Sequence, residues 1–169
     1  IRALMSALLT SHGLRSNVEV ILHLQGGPGP DRRLKFVGSE LRGFHAEERS
    51  VAGLIGKAIR EPSPAIGQWI ERTPGLYDGG GNLGNTLSEW KDSVLIRLDA
   101  DAERLWKQNE PIPHESVPNE QMIAFLLSDD QPLDTDEGIP RSLGSTWLQG
   151  HHAIAICHFL LDEGVQLNL

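Results

Sequence analysis

At 169 residues the chain is long enough for one domain with its own hydrophobic core and short for two. Apolar residues make up 39% and charged residues 22%, and no apolar run approaches the length of a bilayer, which excludes both a disordered chain and a membrane-spanning helix. The lone cysteine, Cys157, excludes an internal disulfide and a Cys-rich zinc site, and points to a reducing cytoplasm.

The formal net charge of −8 argues against a nucleic-acid partner, but it is unevenly spread. Residues 1–60 carry nine Lys and Arg against five acids, a balance of +4, and residues 61–169 carry a balance of −12. Such asymmetry lets one face meet an anionic polymer while the rest repels it.

In chain order, the segment from Arg2 to Leu9 has apolar residues at helical spacing and reads as the end of a helix, stopped near Gly13. The chain opens at Ile1 inside this apolar stretch, without the charged flank of a signal peptide, so an N-terminal strand is expected upstream. The β-branched run from Val18 to Leu24 reads as a buried strand, and Arg33 to Gly38 as a second, with a Gly- and Pro-rich turn between them. From Ala46 to Ile59, Val51, Leu54, Ile55, Ala58 and Ile59 recur with helical period until Pro62 and Pro64 intervene, which predicts an amphipathic helix. Residues 62–92 lack periodicity and read as loops with one short helix near Leu87 to Trp90.

Ser93 to Leu98 is the next strand. Met122 to Ser128, apolar on both faces, reads as a central strand of a covered sheet. The stretch from Thr146 to Asp162 reads as a buried helix packed on that sheet. Strands alternating with helices imply an α/β fold with a mostly parallel sheet.

Gly79, Gly81 and Gly84 satisfy G-x-G-x-x-G, but with no convincing strand before them and only a short polar segment after, a loop is the better reading. His151, His152, Cys157 and His158 cluster without a spacing that suits one tetrahedral ion, so no metal is expected. Cys157, in an apolar helix, reads as a core thiol rather than a nucleophile. More informative are Leu126 to Leu133 and Arg141 to Leu148, where apolar strand gives way to small and polar residues. Open α/β sheets bind ligands at such strand ends.

At these residues the sequence resembles the SPOUT-class tRNA pseudouridine-54 N1-methyltransferase family (TrmY) and its bacterial relatives. The blocks LLTSHGLRSNVEV from Leu8, LKFVGSELRGFHAEERSVAGLIGKAI from Leu34, TPGLY from Thr73, FLLSDD from Phe125 and SLGSTWLQGHHAIAICHFLLD from Ser142 come in the family's order, over nearly the whole chain. The resemblance implies a single SPOUT methyltransferase domain over residues 1–169, with a mostly parallel sheet and a C-terminal deep trefoil knot. It also implies a homodimer that uses S-adenosylmethionine to methylate RNA, with tRNA as the expected substrate and no membrane attachment.

Carried over by position, the cofactor contacts fall on Leu98, Ser128, Leu143, Gly144, Ser145, Thr146, Trp147, Leu148 and Ala153. Much of the family has glycine at the position of Ser128, and many members have cysteine at that of Ala153. Asp129 is the candidate to orient the target base or remove its proton, or else an N-cap. Arg15 is the candidate for a phosphate or base contact, or else a surface ion pair. Arg42 and Arg49 fit RNA docking or the dimer better than chemistry. Methylation at another RNA position, and a homologue that binds cofactor or RNA without catalysis, stay open beside pseudouridine methylation.

Overall fold

The protein was analysed as a computed structural model that describes residues 1–27, 29–107, 122–128, 133 and 135–169. It is a mixed α/β chain in two units, Ile1–Glu89 and Trp90–Leu169. No helix among the described residues is long and apolar enough to cross a membrane.

The first unit runs α1 (Arg2–Leu8), β1 (Leu9–Thr10), β2 (Gly13–Leu14), β3 (Glu19–Leu24), β4 (Arg32–Val37), α2 (Glu48–Arg60), β5 (Trp69–Thr73), β6 (Leu76–Gly80) and α3 (Leu83–Glu89). Gly13 is therefore not a helix stop. Helix α1 ends at Leu8, and β1 and β2 pair as a short hairpin. The main sheet has the order β3-β4-β6-β5 and every pairing in it is antiparallel, which corrects the expectation of a mostly parallel sheet. A hairpin is what two strands joined by a Gly- and Pro-rich turn form, because a parallel pair needs a long crossover.

Alternation along β4 sorts this sheet into two faces. Leu34 and Phe36, paired with Asp78 and Leu76 of β6, belong to the buried core together with Leu4, Leu8, Val51 and Ala58. On the other face stand Arg33 and Lys35 of β4, His23 of β3, Tyr77 and Gly79 of β6 and Trp69 of β5. Strand β3 is only partly buried along its length, less than its apolar sequence suggests. Helix α2 matches its predicted span, although Ile59 on its apolar stripe is exposed.

Residues 62–92, expected to be loops with one short helix near Leu87 to Trp90, contain two strands and a helix that starts earlier, at Leu83. Asp78 on β6 is fully buried yet satisfied: Arg32 donates to it at 2.8 and 2.6 Å, and Arg72 at 2.9 and 2.7 Å. Arg32 also donates to the carbonyls of Ala58, Ile59 and Glu61, and so closes the C-terminal end of α2. The glycine motif does lie between a strand and a helix, but in an antiparallel sheet. Its glycines serve packing: a β-carbon on Gly79 would meet the Trp69 ring at 2.7 Å.

The second unit holds β7 (Val94–Leu98), β8 (Ile123–Leu126), β9 (Ile139–Arg141) and α4 (Gly150–Asp162). Its three strands are parallel in the order β8-β7-β9. Strand β8 is therefore an edge strand among the described residues, and β7 takes the centre expected of Met122 to Ser128. Helix α4 packs on the sheet as the sequence suggests, although it begins at Gly150. Ile96, Leu105, Cys157 and Leu160 form the core, with Leu98, Phe125, Leu143 and Val165 packed against it. The chain then turns back so that Leu167 pairs with Trp106, and Asn168 bonds both Leu105 and the carbonyl of Arg104.

Candidate functional site

Three parallel strands end on one edge of the sheet, because Leu98 pairs with Arg141 and Arg97 with Leu126. Strands β8 and β9 lie on opposite sides of β7, so the chain crosses over β7 between them. The crevice outside the carboxyl ends at such a reversal is where open parallel sheets take their ligands. This edge brings together Leu98, Ser128 just past β8, and the run from Leu143 to Leu148 just past β9. Ala153, one turn into α4, is buried, and its N–H donates to the carbonyl of Gln149 at 3.1 Å. Asp129 lies outside the described residues.

The Leu143 to Leu148 loop is anchored at its base. Ser142 donates to the carbonyl of Glu103 at 2.8 Å and accepts from Leu105 at 2.9 Å, while Asp99 donates to Arg141 at 2.9 Å. Beyond that point no backbone hydrogen bond is made by residues 143–148 among the described residues. Ser145, Thr146, Trp147 and Leu148 are exposed, Trp147 at 83%. A main chain that makes no backbone hydrogen bond to the described residues and is exposed from Ser145 to Leu148, beside the apolar Leu98 and Leu143, suits the mixed polar and apolar edges of a nucleoside. The residues present therefore fit S-adenosylmethionine, and backbone contacts do not depend on the side chains at 128 and 153.

One side chain of α4 is excluded from nucleophilic chemistry by its surroundings. Cys157 is buried, and burial pushes its thiol up to about 12, so it carries no thiolate near neutral pH. His151 and His152 touch ring to ring at 4.1 Å on the first turn of α4, and among the described residues no group of three or more His, Cys, Asp or Glu gathers to hold a metal.

Arg15 belongs to the first unit, half-buried after β2, with its N–H donating to the carbonyl of Leu8 at 2.8 Å. Gly38 packs against its backbone: a β-carbon there would lie 1.9 Å from the Arg15 carbonyl oxygen. Arg42 turns inward on its own loop, donating to the carbonyls of Ser39 and Leu41, and Arg49 is exposed on α2. One residue at the strand edge escaped the sequence reading. Arg104 lies in a polar stretch without periodicity, and its guanidinium sits beside the Gly144 loop and over the Trp106 ring. Only the alternation in burial along Arg104-Leu105-Trp106, with a buried leucine between two partly exposed residues, marks that stretch as extended.

A family model described as "Putative SAM-dependent RNA methyltransferase" matches residues 1–165. A tRNA (pseudouridine(54)-N(1))-methyltransferase of Methanospirillum hungatei is 34% identical over 161 residues, covering 92% of this chain and 76% of its own. The proteins of the same name from Thermococcus gammatolerans and Methanococcoides burtonii are 35% and 30% identical, over 96% and 99% of this chain and 81% of each relative. The match runs through both units and includes the strand-end loops, so the chain belongs to the S-adenosylmethionine-dependent RNA methyltransferase family.

Proposed function

We propose that the protein transfers a methyl group to N1 of a pseudouridine in tRNA, as one methyltransferase domain formed by both units. The observation that carries this reading is the shared strand edge: Leu98, Ser128 and Leu143 to Leu148 lie together where a parallel sheet takes a nucleoside. The names of the relatives supply the substrate, and the span of the family model supports a single domain. Bound there, S-adenosylmethionine supplies an electrophilic methyl on a sulfonium. Leu98, Ser128, Leu143, Gly144, Ser145, Thr146, Trp147 and Leu148 hold and orient it, chiefly through main-chain groups, while Ala153, whose N–H is bonded within α4, contributes packing.

The acceptor nitrogen must lose its proton, and in this reading Asp129 accepts or orients it. Arg15 neutralises a phosphate of the RNA, within residues 1–60, whose balance is +4. The same reading gives the chain a C-terminal trefoil knot and a homodimer. Support for the dimer comes from α4, where Phe159 and Leu161 remain exposed after the helix has packed on its sheet.

The test is methylation of tRNA transcripts with and without pseudouridine at the target position, followed by nucleoside mass analysis. The expected product is N1-methylpseudouridine, formed only on the modified transcript. Methylation of the unmodified transcript, or at another nucleotide, moves the activity to a different acceptor. Light scattering at micromolar concentration reads the dimer, and a monomer mass rejects it.

A further inference from the structure

Arg104 stands on an extended stretch held from two sides. On one side Glu103 accepts from the N–H of Ser142, just past β9, at 2.8 Å and Leu105 donates to the Ser142 carbonyl at 2.9 Å; on the other the Asn168 side chain donates to the Arg104 carbonyl at 2.9 Å. The guanidinium carbon lies 4.9 Å from the Trp106 ring centroid, within cation–π distance. A β-carbon on Gly144 would come to 3.8 Å from Arg104 Nη2. Gly144 has φ +135°, a conformation that ordinary side chains rarely adopt, so no side chain stands between the loop backbone and the guanidinium. Arg104 has other contacts as well, and five N–H donors allow a guanidinium several partners at once. An oxyanion beside this loop would come within reach of the guanidinium.

The surroundings select the kind of oxyanion. Asp99, Asp101 and Glu103 precede Arg104, and residues 61–169 carry a balance of −12, which repels a polyanion. S-adenosylmethionine carries a sulfonium and an ammonium against one carboxylate, so its net charge is positive. Acidic surroundings attract it; Arg97 and Arg141 at the same edge face Asp99 and Glu103, and the Arg104 guanidinium beside the loop selects the carboxylate end.

We propose that Arg104 binds the carboxylate of the methionine portion of S-adenosylmethionine. The inference rests on the reading of Leu143 to Leu148 as the cofactor loop. It makes Arg104 a specificity-determining residue for the amino-acid end of the cofactor.

Calorimetric titration of the wild type, R104A and R104K with S-adenosylhomocysteine and with 5′-methylthioadenosine, which lacks the amino-acid end, tests it. The wild type is expected to prefer S-adenosylhomocysteine, and R104A to lose about tenfold of that preference while holding 5′-methylthioadenosine unchanged. R104K, which keeps the charge and loses the fork, should fall between them. An unchanged preference in R104A overturns the proposal. So does an unchanged preference combined with weaker, less salt-dependent tRNA binding, which would assign the guanidinium to a phosphate. Failure of the wild type to bind either ligand overturns the cofactor loop itself, and the proposal with it. If R104A melts below the assay temperature, R104Q is titrated in its place and read by the same preference.

Discussion

Replacing Asp78 by asparagine keeps the shape of the side chain and removes the charge that two arginines share. Asp78 is fully buried, while the side chains of Arg32 and Arg72 are 12% and 16% exposed. Breaking a buried ion pair from one side costs about 3–5 kcal/mol, because a charge is left behind without its partner. Both guanidiniums keep a little water and have carbonyl acceptors besides Asp78, at Ile59, Glu61 and Pro62. The loss should therefore fall near the low end, about 3 kcal/mol. For a chain of this length that lowers the melting temperature by roughly 6–12 °C. Urea unfolding followed by tryptophan emission reads the free energy, and R72Q/D78N should recover part of it by removing one orphaned charge. A loss under about 1 kcal/mol with an unchanged denaturant slope would refute the account of Asp78 as the centre of a buried ionic cluster.

Three further outcomes follow from titratable groups. His23 is driven down to about 4 by burial and by the nearby Arg33 charge, against a smaller upward pull from Glu89. The unfolded chain takes up that proton near 6.5 and the folded one does not, so stability is full above that pH. It should fall by about 2 kcal/mol between pH 6.5 and 4, a slope that H23L flattens in pH-dependent urea melts. Tyr77, the only tyrosine, donates to Glu40 at 2.5 Å and is pushed up to about 12. Ultraviolet titration of the phenolate should show that midpoint in the wild type and a shift back toward 10 in E40Q; an ordinary midpoint in the wild type rejects the bond. The buried Cys157 should resist a thiol reagent at pH 8 until denaturant is added, and rapid labelling of the native protein would contradict its place in the core.

The elements that the sequence made legible are those whose burial has a period. Helix α2, strand β7 and helix α4 each carry an apolar pattern that matches how they pack. Strands β5 and β6 were hidden because their stabilisation is not apolar. Trp69 covers Gly79, Arg72 reaches Asp78, and Lys35 lies over the Tyr77 ring, so pairs across strands replace alternation along one. Strand β9, three residues with a proline in the middle, is too short for any pattern. The misplacement of β8 has a different cause. Apolar residues on both faces report what lies above and below a strand, whereas its position in the sheet depends on hydrogen bonds at right angles to those faces. At the candidate site the loops after β8 and β9 could be recognised as strand ends. Arg104 could not, since its place depends on an extended stretch added alongside β9 by main-chain bonds.

The contact between Gly38 and the Arg15 carbonyl divides the glycines of this chain by what sequence drift can do to them. At position 38 even the smallest side chain requires backbone to move by more than an ångström, so a single methyl group would displace the Arg15 segment. Gly53 and Gly56 on α2 have nothing within 4 Å of where a β-carbon would stand. Alanine at either should strengthen the helix by up to about 1 kcal/mol. The geometry admits a methyl group on the outside of α2 and refuses one at position 38, so a directed search for stabler variants has its first two targets at Gly53 and Gly56.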